Sequence, residues 1–272
     1  MSALTTRLRF GSLMTLLVAG MFWADKDWKP LSLLLLPLAA MAAQLEFYGM
    51  AGLLKGREKF YALMSAGLGF LIYGSFFCPE YNLGAAVTAS VAALLLAGVL
   101  RSDTKDSPAV LGVSLLGLLT IPLMLGLAGW LRLEYGWHWL VFLIAVAKAG
   151  DSCAYFAGTA MGRHKLIPKV SPNKSWEGAV ASVIGSLLVA WWVASAAFPP
   201  ELFADTQLWV VAAVLVNLGG QFGDLSESLL KRGCNTKDSA GLIPVMGGFY
   251  DLVDSFLLAS PALAAWLLIA HA

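Results

Sequence analysis

The sequence predicts an all-α protein: a polytopic membrane helix bundle of about nine transmembrane helices, N-in/C-out. Three observations predict it. Of 272 residues, 59% are hydrophobic and 13% charged, whereas a soluble domain carries roughly a quarter charged. The apolar residues come in runs long enough to cross a bilayer. That takes about 20 residues of helix, since backbone groups in lipid must be bonded within the segment. The basic residues, finally, gather on one alternating set of connecting segments.

In chain order the runs lie at 8–24, 31–51, 60–78, 84–100, 109–131, 137–161, 179–198, 208–229 and 252–270. The first and fourth are near the short limit for a span, so eight helices is the competing count. Arg7 and Arg9 ahead of the first run resemble a secretory leader. Asp25, Lys26, Asp27 and Trp28, however, stand where small residues should precede a cleavage site, so the first helix is expected to be retained. No stretch between runs is long enough for a separate soluble domain. Residues 1–136 therefore form an N-terminal set of transmembrane helices and 137–272 a C-terminal set, within a single membrane domain. Cys78, Cys153 and Cys234 show no metal or disulfide spacing.

Orientation follows from the charges. With the N-terminus inside, the cytoplasmic segments hold Arg7, Arg9, Lys55, Arg57, Lys59, Arg101, Lys105, Arg163, Lys165, Lys169, Lys174, Lys231, Arg232 and Lys237. The outer segments hold Lys26, Lys29 and Arg132, and Lys148 stays within a span. The positive-inside rule then places the N-terminus in the cytoplasm. Eight helices would put the last basic loop on the wrong side, so the bias favours nine.

The first half is mostly Leu, Ala, Gly and Val. Its one notable residue is Glu46, which reads as an interfacial carboxylate near Tyr48 and Lys55. The second half carries three polar clusters at span ends. In the first, Lys148 and Asp151 are three apart on one helical face, either as a structural ion pair or as the lining of a hydrated site. In the second, residues 162–178, Arg163, His164, Lys165, Lys169 and Lys174 crowd a loop that feeds the seventh span. Ser171 or Ser175 can cap that helix, and a helix N-terminus beside lysine binds phosphate readily. Topogenesis alone would explain the charge but not the order Ser171-Pro172-Asn173-Lys174-Ser175-Trp176-Glu177-Gly178.

The third cluster runs from Gly223 to Ser255. Asp224 and Ser228 share a helical face, with Lys231 and Arg232 a turn further. Asp251 and Asp254 share a face at the start of the ninth span. Such carboxylates at membrane depth are expensive without a cation, and they are hard oxygen donors suited to Mg²⁺. Glu227 with Lys231 reads as an ordinary i,i+4 pair. Gly247 and Gly248 either admit a ligand close to the backbone or make a turn.

These residues resemble the phosphatidate cytidylyltransferase (CDP-diacylglycerol synthase) family. Ser228, Lys231, Arg232, Lys237, Asp238, Pro244, Gly247, Gly248, Asp251 and Asp254 fall in register with its C-terminal signature. Upstream, Asp151 with Tyr155, Gly158, Gly162 and Lys165, and then the segment from Ser171 to Gly178, resemble two further family motifs. Glu46-Phe47-Tyr48 is similar to a Glu-Phe/Tyr pair of such proteins. The likeness is dense over 140–260 and loose before that. Two positions depart: Met246 stands where the family has His, and Leu252 where it has Arg.

The resemblance implies transfer of a cytidylyl group from CTP to phosphatidic acid, giving CDP-diacylglycerol and pyrophosphate in phospholipid biosynthesis. It implies Mg²⁺, alone or with a second cation, held by Asp224, Asp238, Asp251 and Asp254. Lys231, Arg232 and Lys237 would balance the triphosphate. Lys174, Ser171 and Ser175 would hold the lipid phosphate or the nucleotide, with Asp151, Glu177, Ser228, Gly247 and Gly248 in the same substrate-binding set. It further implies a homodimer, a bacterial-type inner-membrane location with the site facing the cytoplasm, membrane lipid as a partner, and no nucleic acid. Two rivals remain. One is an inactive or substrate-altered paralogue acting as a scaffold, suggested by Met246 and Leu252. The other is a transporter, disfavoured because the polar residues crowd one side and the halves are dissimilar.

Overall fold

The computed structural model describes residues 30–78, 82–101, 106–237, 239 and 248–270, with side chains from residue 34 onward. In chain order the elements are α1 (Pro30–Met50), α2 (Lys59–Ser75), α3 (Leu83–Arg101), α4 (Ser107–Glu134), α5 (Trp137–Met161), β1 (Lys165–Ile167), β2 (Ser171–Ser175), α6 (Trp176–Ala197), α7 (Pro200–Ala204), α8 (Thr206–Gly233) and α9 (Phe249–Ala270). Each apolar run from the second to the ninth is a helix. The run at 8–24 lies outside the described residues.

Among the described residues six helices, α3, α4, α5, α6, α8 and α9, are long and apolar enough to cross a membrane. The chain is thus a polytopic helical membrane protein. α1 is apolar over Leu34–Met50, and α2 has 17 residues, short of the expected run because Phe76 and Phe77 lie in a turn. The all-α expectation needs one correction: the basic loop between α5 and α6 is an antiparallel hairpin, pairing Lys165 with Ser175 and Ile167 with Ser171. Pro168 and Pro172 lock their φ angles and disfavour helix before them, so this stretch takes extended backbone.

The described residues fall into two compact units: one within Met1–Trp130 and Asp238–Leu252, the other Leu131–Lys237 with Val253–Ala272. In the first, Ile72, Leu94 and Leu118 form a buried core packed by Met64, Leu68, Leu83, Val87, Leu115 and Leu123. A polar thread joins three helices there. Gln44 Nε2 donates to the Tyr48 hydroxyl at 2.9 Å, and that hydroxyl donates to the Ser114 carbonyl at 2.8 Å. Ser65 Oγ donates to the same carbonyl at 3.0 Å. With few apolar gains available between helices in lipid, such bonds help specify which faces meet.

The second unit is built on the α5–α6 hairpin, whose helices approach through small residues. A methyl at Gly178 would lie 2.8 Å from the Ala154 carbonyl oxygen and 3.4 Å from the Gly158 Cα. α8 joins through buried Asn217, whose Nδ2 donates to Ser182 Oγ at 2.7 Å and Ser186 Oγ at 2.8 Å. Its Oδ1 accepts from Gln221 Nε2 at 2.7 Å. Gly150 leaves room for this network, since a Cβ there would meet Asn217 Nδ2 at 2.5 Å. Interhelical bonds of this kind are worth about 0.6 kcal/mol each, and up to about 1.7. Asn217→Leu is therefore expected to destabilise the protein by about 1–2 kcal/mol, read as a lowered unfolding midpoint in detergent.

Candidate active site

Ser175 is the residue that caps α6: its Oγ accepts from the Gly178 N–H at 3.2 Å. Capping begins the helix three residues earlier than the apolar run suggested. Ser171 pairs with Ile167 in the hairpin. Glu177 closes the hairpin's base, accepting from the His164 backbone N–H at 3.2 Å and meeting His164 Nδ1 at 2.7 Å. Its carboxylate is thus engaged by the fold.

Lys174, between Ser171 and Ser175, reaches α8. Its Nζ lies 2.7 Å from Asp224 Oδ2 and donates to the Gln221 carbonyl at 3.3 Å. α8 in turn lies close against α9. A methyl at Gly219 would stand 2.8 Å from the Ala259 Cα, and one at Gly223 would stand 3.3 Å from the Ser255 Cα. Both neighbours are backbone. This close approach, possible because two positions on α8 carry no side chain, delivers Asp224 and Glu227 to Asp254.

The result is a carboxylate cluster. One oxygen from each of Asp224, Glu227 and Asp254 lies within 4.8 Å of the others. Glu227 is 1% exposed and Asp254 9%. Lysines bracket the group: besides Lys174 on Asp224, Lys231 Nζ lies 2.6 Å from Glu227 Oε1. On α5, Lys148 Nζ donates to Ser255 Oγ at 2.8 Å and to Asp151 Oδ2 at 3.3 Å, with the Phe256 ring centroid at 4.8 Å. The Lys148–Asp151 pair expected from the spacing is present, and it is anchored to α9 beside Asp254.

The donor set fits Mg²⁺. Its metal–oxygen distance of about 2.0–2.1 Å separates neighbouring ligand oxygens by about 3 Å and opposite ones by about 4 Å. The three carboxylate oxygens, within 4.8 Å of one another, are near enough to converge on one such ion. The lysines neutralise the same charges, so the cluster can exchange ammonium partners for a cation while the ammonium groups turn to phosphate.

Of the remaining expected residues, Ser228 is half-buried on α8, and Arg232 donates to the Thr236 carbonyl at 3.4 Å. Lys237 is exposed. Asp238 and Gly247 lie outside the described residues. Asp251 and Gly248 belong to the first unit and form a separate arrangement there. Asp251 Oδ2 accepts from the Gly248 N–H at 2.7 Å, the return half of a capping box at the start of α9. The same oxygen accepts from Ser239 Oγ at 2.8 Å and from the Ser239 N–H at 3.2 Å. Glu46, from α1, meets this group: its Oε2 accepts from the Tyr250 N–H at 2.9 Å and lies 3.1 Å from Ser239 Oγ, whose one proton it shares with Asp251.

Two site residues escaped the sequence reading. Glu227 was explained by its i,i+4 lysine, which is observed, but it also joins the carboxylate cluster. Glu46 was expected near Tyr48 and Lys55 at an interface, yet its hydrogen bonds go to Ser239 and Tyr250. Its burial, at 9% exposure, is that of an interior group. The spacing of Asp224, Glu227 and Lys231 carried a signal for the first, since Glu227 is one turn from both the aspartate and the lysine faces. The second stands out in the sequence as Glu46-Phe47-Tyr48, but no spacing points to its partners.

The sequence model of the family described as "Cytidylyltransferase family" matches residues 5–270. A phosphatidate cytidylyltransferase of Chlamydia muridarum is 39% identical over 138 residues, covering 49% of this chain and 44% of that protein. One from Brucella suis is 42% identical over 135 residues, covering 47% and 46%, and one from Haemophilus influenzae is 38% identical over 140 residues, covering 48% of each. The chain spans about half the length of the curated relatives it matches. A family match running almost from end to end, over a helical membrane frame with clustered carboxylates and lysines, means that this chain belongs to the cytidylyltransferase family.

Proposed function

We propose that the protein is a phosphatidate cytidylyltransferase, joining CTP and phosphatidic acid into CDP-diacylglycerol and pyrophosphate. The observation that carries this reading is the Asp224–Glu227–Asp254 cluster bracketed by Lys174 and Lys231, in a chain of this family. A phosphate oxygen of the lipid attacks the α-phosphorus of CTP. The new P–O bond forms as the bond to the β-phosphate bridging oxygen breaks, and pyrophosphate leaves with that electron pair. The lipid phosphate is already an anion, so no strong base is required. What the protein must supply is alignment and charge neutralisation.

Asp224, Glu227 and Asp254 would hold Mg²⁺, with a second cation as an option; Asp238 and Asp251 are the other metal-binding carboxylates that the family resemblance implies. Bound there, Mg²⁺ supplies charge neutralisation at the reacting phosphates and fixes their orientation. Lys174 and Lys231 are within reach of the same carboxylates and can turn to phosphate oxygens, with Arg232 and Lys237 further along the same segment. Ser171, Ser175 and Asp151 complete the substrate-binding set that the family resemblance implies. The positive-inside pattern supports nine spans, N-in/C-out, with the site on the cytoplasmic face of a bacterial inner membrane. A homodimer follows from the family likeness.

The test uses purified protein in phosphatidic acid micelles with labelled CTP. Label is expected to enter the lipid phase as CDP-lipid in step with pyrophosphate release, to vanish on chelation of Mg²⁺, and to be abolished by Asp251→Asn with expression intact. Absence of lipid label from folded wild-type protein would overturn the reading and leave the scaffold alternative suggested by Met246 and Leu252. Near-normal turnover in Asp251→Asn would overturn the role of that carboxylate.

A further inference from the structure

We infer that Glu46 is a positioning residue: through Ser239 and the first turn of α9, its carboxylate sets the orientation of Asp251. The inference rests on the cytidylyl-transfer reading for its consequence and on the geometry of the first unit for its substance. Glu46 Oε2 is shared between the Tyr250 N–H and the Ser239 hydroxyl. That hydroxyl also meets Asp251 Oδ2. The two carboxylates are therefore linked through one side chain, and Glu46 additionally satisfies a backbone N–H of the turn that carries Asp251.

The frame behind Glu46 is firm. Tyr48, two residues on, is buried and anchored by Gln44, Ser65 and Ser114 from three helices. Phe47 packs on Tyr250 with ring centroids 5.7 Å apart. Gly248 leaves no space in between, because a Cβ there would meet Ser239 Oγ at 2.5 Å and fall closer still to Glu46 Oε2. The contact is thus direct and fully packed, and it orients the turn rather than merely lying near it.

Stability alone does not account for a glutamate here. Glu46 is buried, and among the described residues its Oε1 has no hydrogen-bond partner. A buried acceptor left without a donor is unfavourable, and ionisable side chains kept buried at that cost tend to serve a site. Glu46 reaches Asp251 through Ser239 and the first turn of α9, so it is a positioning residue and not itself a catalytic one.

The experiment compares wild type, Glu46→Ala and Glu46→Gln as full-length protein in lipid nanodiscs. Steady-state CDP-lipid kinetics are measured beside hydrogen–deuterium exchange of the peptide containing Tyr250. Glutamine with its oxygen in the Oε2 place keeps the acceptor that both Tyr250 and Ser239 meet, so positioning survives. Glu46→Ala is expected to lower kcat about tenfold or more while moving KM for CTP less than about threefold. It is also expected to speed Tyr250 exchange by about tenfold, as for a lost helix cap. Glu46→Gln is expected to stay within about threefold of wild type on both readouts. Unchanged Tyr250 exchange in Glu46→Ala overturns the inference, as does a glutamine variant as impaired as the alanine one. Should wild type make no CDP-lipid, the transfer reading fails by itself, and the exchange comparison still decides whether Glu46 holds the Asp251 turn.

Discussion

Asp224→Asn is expected to reduce CTP-dependent CDP-lipid formation by more than about a hundredfold while yield and thermal stability stay close to wild type. Asparagine matches aspartate in shape and keeps one acceptor oxygen, so packing at α8 is undisturbed. What disappears is one unit of charge, at the point where Lys174 meets the carboxylate cluster at 2.7 Å. The Lys174 and Asp224 side chains are 23% and 35% exposed, and such partly solvated pairs contribute at most about 1 kcal/mol to stability. The functional loss is larger because second-shell partners of a metal site are already worth 10–100-fold, and Asp224 would be a direct ligand. The measurement is labelled-CTP turnover beside a melting curve. Turnover near wild type in a folded Asp224→Asn protein would remove Asp224 from the site.

How much of this was legible in the sequence depends on how far apart the partners lie along the chain. The apolar runs translate into helices because backbone satisfaction in lipid leaves few other choices, and α5 begins and ends where its run does. Ser175 could be narrowed to one of two caps, since a cap acts three residues away. The hairpin at Lys165–Ser175 was hidden, as its strands are short, with Pro168 in the turn and Pro172 within the second strand. The Glu227–Lys231 pair is legible from spacing and is present, while the part Glu227 takes in the carboxylate cluster is not legible. Its lysine neighbour four residues on accounts for it completely within one helix, and only the approach of α9 reveals the second role. Glu46 shows the limit most clearly: its partners Ser239 and Tyr250 are 193 and 204 residues away, beyond any periodicity. Gly223 opens the third polar cluster, but that its missing side chain lets two helix backbones meet is a property of the pair.

That property yields the second large effect: Gly223→Ala is expected to lower CDP-lipid formation by about a hundredfold without touching a single charged group. An alanine methyl there would collide with the Asp254 carbonyl oxygen and lie 3.3 Å from both the Asp254 carbonyl carbon and the Ser255 Cα. These are helix backbone atoms, which cannot swing aside as a side-chain tip would. α8 must move away from α9, carrying Asp224 and Glu227 away from Asp254, and a misplacement of about 1 Å in a reacting constellation can cost about a hundredfold. The accompanying overpacking should cost about 1–3 kcal/mol, leaving a lowered but measurable unfolding midpoint. Gly220→Ala on the same helix is the control, because its methyl would find Ser255 Cβ at an ordinary 3.6 Å. Turnover and melting curves of the two variants separate a general intolerance of α8 to alanine from a specific need for contact at position 223. If Gly223→Ala turns over like wild type, or if Gly220→Ala is equally impaired, the close approach of α8 and α9 is not what assembles the carboxylates.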